Sequence, residues 1–227
     1  MSTVSMHDGR TTPRPIRAVV WDFDGTLVDS PVAVQAATNA ALAELGCVAV
    51  DLAGVRAGMV LATVPRMARH AGIPADDPRA RQLNDRFYVH AQALFPSHAH
   101  PFAGVPEMLT AISAAGLPQA VVTNNLGGMV RSTLERAGVR QLFSSVLGDG
   151  DLPAAKPDPR GAWMAAAACA VEPSACVYVG DSVVDRETAR AAGMQAFGVT
   201  WGTTSRAAMT GFDRLFDHPA EVVAALG

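Results

Sequence analysis

Residues 17–26 of this chain read RAVVWDFDGT, a short apolar run that ends in two aspartates and a glycine. We predict a buried β-strand over Arg17 to Asp22, because such runs bounded by turn residues are typical of strands in a parallel sheet. Four further runs have the same character: Gln119 to Thr123, Ser145 to Gly148, Cys176 to Gly180 and Gln195 to Val199. Helical patterns separate them, which indicates an α/β fold with a Rossmann-like parallel sheet core.

The spacing of these runs indicates an insertion. The first strand ends at Asp22 and the second begins near Gln119, a gap that is too long for one crossover helix. Helical patterns fill most of this gap, so we predict an inserted α-helical cap domain. The predicted division is a loose N-terminal leader at 1–15, an α/β core at 16–30 and 103–227, and the cap at 31–102.

Two prolines mark predicted helix starts. Ser30 precedes Pro31 and Asp158 precedes Pro159, which is the order of an N-cap residue followed by a proline in the first helical position. We therefore expect Ser30 and Asp158 to cap helices.

The composition limits the classes of partner. The 227 residues carry a formal net charge of −3, and 49% are hydrophobic, so there is no electrostatic reason to expect nucleic acid or an anionic membrane as partner. No apolar run reaches the ~18 residues of a membrane span, and the N-terminus lacks the apolar region of a secretory signal. Three cysteines without metal-type spacing fit a reducing compartment. We expect a cytoplasmic protein, and the sequence does not indicate its oligomeric state.

Polar side chains follow four of the predicted strands. They are Asp22 and Asp24, then Thr123 and Asn124, then Lys156, and finally Asp181 with Asp185 behind it. Ligands of open α/β sheets bind beyond the carboxyl ends of the strands, so these groups should meet at one edge. Clustered carboxylates repel unless a cation is present, and oxygen ligands without histidine or cysteine suit Mg²⁺. A phosphate would then fit between the metal, Lys156, Thr123 and the backbone N–H groups of the turn at Gly25.

Lys156 is the only lysine among the 18 basic residues of the chain. A compact ammonium can contact both a phosphate oxygen and a carboxylate where a planar guanidinium would not fit. This favours a functional role for Lys156 over a chance surface position.

The ordered motifs resemble those of the haloacid dehalogenase superfamily. Residues 22–30, DFDGTLVDS, are similar to its first motif, Thr123 to its second, Lys156 in KPDP to its third and residues 180–185, GDSVVD, to its fourth. The resemblance spans about residues 16 to 202, and GVTWG at 198–202 is similar to the phosphoglycolate phosphatase-like branch. Four ordered motifs at four strand ends are much more specific than a single Asp-x-Asp.

The resemblance implies catalytic roles for three residues. Asp22 would be the nucleophile and a Mg²⁺ ligand, and Asp24 the general acid and then base, with its backbone carbonyl on the metal. Lys156 would stabilise the nucleophile and the phosphoryl oxygens. These roles agree with the charge argument, because a metal and a lysine let a carboxylate approach an anionic phosphorus.

The resemblance also implies binding roles. Thr123 and the N–H of Asn124 would hold the phosphate, beside the turn at Gly25. Asp181 would bind Mg²⁺, and Asp185 would be either a ligand or a group that orients one. The inserted helices would form the cap that closes over the site and excludes water.

Within the cap, Arg56 is the candidate for substrate contact. It precedes Gly58 where the branch often has a substrate-facing loop, and it could bind a substrate carboxylate in bidentate fashion, although a solvated arginine is the alternative. Arg66, Arg69 and His70 share one helix face, which we interpret as a solvated stripe.

The leading hypothesis is a phosphatase for a small phosphate monoester such as 2-phosphoglycolate. One alternative is a β-phosphoglucomutase-like phosphotransferase, which would return the phosphoryl group to substrate. Another is a non-catalytic binding module on the same fold, against which the intact set Asp22, Asp24, Lys156 and Asp181 argues.

Overall fold

The computed structural model describes residues 15–226, so the leader predicted at 1–15 lies almost wholly outside the described residues. The strands are β1 Ala18–Trp21, β2 Val28–Asp29, β3 His100–Pro101, β4 Gln119–Leu126, β5 Ser145–Asp149, β6 Cys176–Gly180, β7 Gln195–Val199 and β8 Arg214–Phe216. The α-helices are α1 Pro31–Glu44, α2 Leu52–Gly58, α3 Thr63–Ala71, α4 Pro78–His98, α5 Val105–Ala114, α6 Gly127–Arg136, α7 Arg160–Ala168, α8 Val183–Ala192 and α9 Pro219–Leu226. These elements confirm the predicted α/β fold.

Six strands form one parallel sheet in the order β5-β4-β1-β6-β7-β8. The central strand β1 pairs with β4 and β6, and its Trp21 is in register with Val121 and Val179. The five predicted strands are present, and β4 continues to Leu126. The three-residue strand β8 was not predicted, because so short a segment carries little pattern.

Alternate residues of the strands enter two apolar cores. Val19 and Trp21 face the larger core, which is covered by helices that include α5 and α6, while Ala18 and Val20 face a smaller, alanine-rich core beneath α7 and α8. This division follows from the two-residue period of a strand. Trp21 is fully buried, and its Nε1 donates a hydrogen bond to Oε1 of Gln119 at 3.0 Å, so its polar atom is not left without a partner.

The chain leaves and re-enters the sheet region through a two-stranded antiparallel pair. Val28 pairs with Pro101 and Asp29 with His100, and helices α1 to α4 lie between these positions in the sequence. We call residues 31–102 the cap segment. Its status as a separate domain stays a prediction. Among residues 15–226, none of the helices has both the length and the apolar character needed to cross a bilayer.

The predicted helix start at Ser30 and Pro31 is confirmed, although Ser30 makes no capping hydrogen bond with its side chain, and the predicted start at Asp158 is wrong by one residue. Ser30 precedes α1, but its backbone lies at φ −111° and ψ −8° rather than in the extended conformation of a capping serine, and its hydroxyl donates to Asp24 instead. Helix α7 begins at Arg160, one residue later than predicted. Asp158 nevertheless accepts a hydrogen bond from the backbone N–H of Arg160 at 3.0 Å.

Candidate active site

The turn after β1 places two carboxylates at the edge of the sheet. Asp22 is buried, and its N–H donates to the carbonyl of Val179 on the neighbouring strand at 2.8 Å. Gly25 follows with φ +81°, and a Cβ on it would lie 2.3 Å from Oδ2 of Asp181. Only glycine therefore permits both this backbone conformation and the close approach of Asp181.

Lys156 joins two carboxylates of the site. Its Nζ donates to Oδ1 of Asp22 and to Oδ1 of Asp185, both at 2.6 Å, and its side chain is almost fully buried. Burial alone would lower the pKa of this ammonium, but the charges of Asp185 and Asp22 raise that pKa well above its usual value. Lys156 is therefore a permanent cation between the two acids.

The side chain of Asn124 fixes the loop that carries Lys156. Its Oδ1 accepts from the Lys156 N–H at 2.7 Å, and its Nδ2 donates to the Lys156 carbonyl at 3.3 Å. Thr123 is buried beside it, and its Oγ1 accepts from the N–H of Asn125 at 3.1 Å. Thr123 and Asn124 both line the cavity at the sheet edge, where a phosphate would lie in the sequence-based hypothesis.

The acids form a cluster that suits a cation. One carboxylate oxygen from each of Asp22, Asp181 and Asp185 lies within 4.8 Å of the others, and all three residues are buried. Burial and the charge of Asp185 raise the pKa of Asp181 to about 6, and burial is also the largest cause of the raised pKa of Asp22. A single lysine does not balance these acids, and their donor atoms are all oxygen, so the residues present fit a hard divalent cation.

Asp181 and Asp185 are held by different parts of the chain. Oδ2 of Asp181 accepts from both the N–H and the Oγ1 of Thr203, each at 2.6 Å. Oδ2 of Asp185 accepts from the N–H and Oγ of Ser182 in the capping box at the start of α8, while its Oδ1 faces Lys156. Both carboxylate oxygens of Asp185 therefore accept hydrogen bonds, and these bonds fix its orientation within the acidic cluster. Thr203 was not identified from the sequence, since nothing local links it to Asp181.

Asp24 is positioned by two side-chain donors. The Ser30 hydroxyl donates to its Oδ1, and Nδ2 of Asn125 donates to its Oδ2 at 3.0 Å. Burial raises the pKa of Asp24, and these two hydrogen bonds oppose the shift. Asn125 was missed as a site residue, although it directly follows Asn124 at the end of the same strand.

The cap segment supplies the opposite wall of the cavity. The space has a volume of about 40 Å³, and the cap residues lining it are Met59, Val60, Leu61, Thr63 and Arg66. Arg56, the predicted contact, is exposed on α2 and does not line the cavity.

Arg66 is 7% exposed, so its interpretation as part of a solvated stripe is wrong. The spacing of Thr63, Arg66 and Met67 places them on one helix face, but only the packing of α3 shows that this face is buried.

Comparison with known proteins agrees with this geometry. Residues 19–199 match the family model described as haloacid dehalogenase-like hydrolase. A phosphoglycolate phosphatase of Xylella fastidiosa is 37% identical over 190 residues, which is 83% of this chain and 82% of that protein. The N-acetylmuramic acid 6-phosphate phosphatase of Pseudomonas aeruginosa is 30% identical over 211 residues, which is 92% of this chain and 93% of that protein.

Solved structures share the fold. A haloacid dehalogenase-like family protein from Streptococcus pneumoniae superposes with a TM-score of 0.83 at 22% identity, covering 93% of this chain and 99% of that one. The family match covers most of the chain and includes the strand-end acids Asp22, Asp24, Asp181 and Asp185 as well as Lys156. This chain therefore belongs to the haloacid dehalogenase-like hydrolase family.

Proposed function

We propose that this chain is a Mg²⁺-dependent phosphatase that hydrolyses a small phosphate monoester through a phospho-aspartate on Asp22. The observation that carries this proposal is the position of Lys156, whose Nζ contacts Asp22 at 2.6 Å within the buried acidic cluster. A lysine at that place neutralises the nucleophile without blocking the cavity that Asp22 lines with Thr123 and Asn124.

The residues divide the chemistry into two half-reactions. A carboxylate oxygen of Asp22 attacks phosphorus in line, and the bond between phosphorus and the ester oxygen breaks while Asp24 donates a proton to that oxygen. Water then attacks the phosphorus of the acyl phosphate, Asp24 accepts its proton, and inorganic phosphate and the Asp22 carboxylate are released. Ser30 and Asn125 keep Asp24 at the place where it can serve both steps.

Asp22, Asp181 and the backbone carbonyl of Asp24 would hold Mg²⁺, with Asp185 orienting the set. When bound, the ion supplies charge neutralisation at the phosphoryl oxygens. The chain itself holds these acids in position, because Thr203 donates a hydrogen bond to Asp181 and Ser182 donates one to Asp185.

The substrate is proposed to be a compact phosphate ester of the phosphoglycolate type. Two relatives are named for phosphoglycolate and for N-acetylmuramic acid 6-phosphate, and both compounds carry a carboxylate as well as a phosphate. Three free cysteines support a reducing, cytoplasmic location.

A panel of phosphate esters assayed with and without Mg²⁺ tests the proposal. The panel contains 2-phosphoglycolate, N-acetylmuramic acid 6-phosphate, hexose phosphates and p-nitrophenyl phosphate, and inorganic phosphate is measured. We expect Mg²⁺-dependent release from at least one ester. Absence of release from every ester would overturn the proposed phosphatase function.

The same assay separates hydrolysis from phosphotransfer. With hexose 1-phosphate and a trace of hexose bisphosphate, formation of hexose 6-phosphate faster than free phosphate would identify a mutase. We expect hydrolysis to prevail, because the cap segment contains no lysine to hold a second phosphate during reorientation.

A further inference from the structure

The cap segment places one buried cation at the active-site cavity. Arg66 on α3 is 7% exposed and lines the cavity that also contains Asp22 and Asp24. Its Nε has no hydrogen-bond partner, and its guanidinium forms no ion pair with any residue from 15 to 226. A buried arginine without such partners is rare, because a charge removed from water must be compensated.

The surroundings of Arg66 hold it in place without neutralising it. Its guanidinium carbon lies 4.7 Å from the centre of the Phe87 ring. Gly58 allows the arginine stem and His70 to pack closely, since a Cβ there would be 2.8 Å from Nε2 of His70 and 3.3 Å from Cγ of Arg66. Burial lowers the pKa of His70, which favours its neutral form. The neighbouring imidazole therefore supplies no negative charge to balance Arg66.

The other acids near Arg66 are already engaged. The charge of Asp24 stabilises the guanidinium, but the two groups form no ion pair, and both oxygens of Asp24 accept hydrogen bonds from Ser30 and Asn125. Asp149 accepts a hydrogen bond from the Tyr88 hydroxyl at 3.1 Å. The hydrogen-bond donors of the Arg66 guanidinium are therefore available to an anion that enters the cavity.

We infer that Arg66 binds a carboxylate of the substrate and so selects acidic phosphate monoesters. The inference rests on the proposed phosphatase function and specifies its substrate class. A guanidinium presents paired donors that match the two oxygens of a carboxylate, and both hydrogen bonds are charge-assisted. The other described cap residues that line the cavity, Met59, Val60, Leu61 and Thr63, are uncharged, so Arg66 is the cation that an anionic substituent would meet on this side.

The test measures the activity of wild type and of Arg66 variants on two pairs of substrates. In each pair, an ester that carries a carboxylate is compared with one that lacks it. The pairs are 2-phosphoglycolate with 2-phosphoglycolamide, and N-acetylmuramic acid 6-phosphate with N-acetylglucosamine 6-phosphate. For the pair that the enzyme accepts, wild type should favour the acid in kcat/KM by about 100-fold. Arg66→Gln should remove this preference by loss on the acid alone, and Arg66→Lys should restore part of it.

Matched controls isolate the effect of the charge. Arg69→Gln changes an exposed arginine of the same helix, and Arg56→Gln tests the position that sequence reasoning favoured; both should keep the preference. The Tm and the far-UV circular dichroism spectrum of Arg66→Gln should match those of wild type, which shows that the variant is folded.

Three outcomes would count against the inference in distinguishable ways. Equal activity of wild type on both members of each pair would refute selection of acids while leaving the phosphatase intact. Equal losses of Arg66→Gln on acidic, neutral and aryl esters would assign Arg66 to positioning Asp24. Failure of wild type to release phosphate from any ester would overturn the proposed function itself.

Discussion

The two walls of the active-site cavity carry opposite charge imbalances. On the core side, the carboxylates of Asp22, Asp24, Asp181 and Asp185 face a single ammonium on Lys156. On the cap side, the guanidinium of Arg66 has no ion-pair partner among residues 15–226. At the cavity, the core side therefore has more negative than positive groups, and the cap side has a cation without an ion-pair partner.

From this difference we expect the core side to carry out the reaction and the cap side to select the substrate. A cation bound in the core would complete the machinery that every phosphate ester needs, whereas an anion on Arg66 would be supplied only by particular substrates. Changes in the core should thus reduce activity whether or not the ester carries a carboxylate, and the effect of changes at Arg66 should depend on that carboxylate. The following experiments, in order of decreasing expected effect, test this contrast.

The largest effect is expected for Asp22→Asn. The substitution keeps the volume and removes the nucleophile, so turnover should fall by at least about 10³-fold on every ester, with no phospho-enzyme trapped by rapid quench. Asp158→Asn, which alters a carboxylate paired with Arg160 away from the cavity, should keep full activity. Retention of more than about a hundredth of wild-type kcat by Asp22→Asn would exclude the covalent route.

Asp24→Asn should slow alkyl phosphates by ~10²–10⁴-fold, because it removes the proposed proton donor but leaves the proposed nucleophile in place. The loss on p-nitrophenyl phosphate should be much smaller, since its leaving group departs without a proton. Comparing kcat on the two esters is the measurement. Equal losses would contradict general-acid catalysis by Asp24.

Thr203→Val should weaken Mg²⁺ activation by about tenfold while changing kcat at saturating metal little. The substitution removes the hydroxyl that donates to Oδ2 of Asp181 at 2.6 Å and keeps the backbone N–H. A Mg²⁺ titration of activity measures the effect. Thr200→Val, whose hydroxyl contacts Asp217 instead, serves as the control and should titrate as wild type does.

Tyr88→Phe tests a contact between the cap segment and the core. The Tyr88 hydroxyl connects Thr63 of the cap at 3.0 Å with Asp149 of the core at 3.1 Å. Loss of about 1 kcal/mol from this contact should raise KM roughly fivefold and leave kcat nearly unchanged. A fall in kcat with constant KM would place Tyr88 in the chemical step instead.

The smallest effect is expected in the pH dependence of metal-free stability. Burial raises the pKa of Asp181 to about 6, above its ordinary value, so the native state binds this proton more tightly than the unfolded chain does. The resulting stabilisation is present at low pH and is lost as the pH rises through about 6. In EDTA, wild type should therefore lose several degrees of Tm relative to Asp181→Asn between about pH 5 and 7.5.

Comparing the variant with wild type removes the contribution of His70, which titrates in the same range with the opposite sign because its pKa is lowered. Addition of Mg²⁺ at about pH 7.5 should raise the Tm of wild type more than that of Asp181→Asn. A difference between the two proteins that does not change with pH would contradict the raised pKa.

The core side of the site was largely predictable. Asp22, Lys156 and Asp181 were found because each follows a strand with a clear apolar pattern, and parallel strands bring their carboxyl ends to one edge of the sheet. The cap side was not predictable in the same way. Helical periodicity groups residues such as Thr63 and Arg66 on one face, but it does not say whether that face meets solvent or another element.

The sequence by itself determined the α/β class, the five long strands and the set of acids with one lysine, because these depend on local pattern and on chemical identity. Tertiary structure alone decided which arginine lies at the cavity. The packing of α3 places Arg66 there, whereas Arg56 does not line the cavity. It also decided which donors hold the acids, since Asn125 lies 101 residues from Asp24 and Thr203 lies 22 residues from Asp181. Such contacts are made only when distant segments pack together, and no local pattern in the chain encodes them.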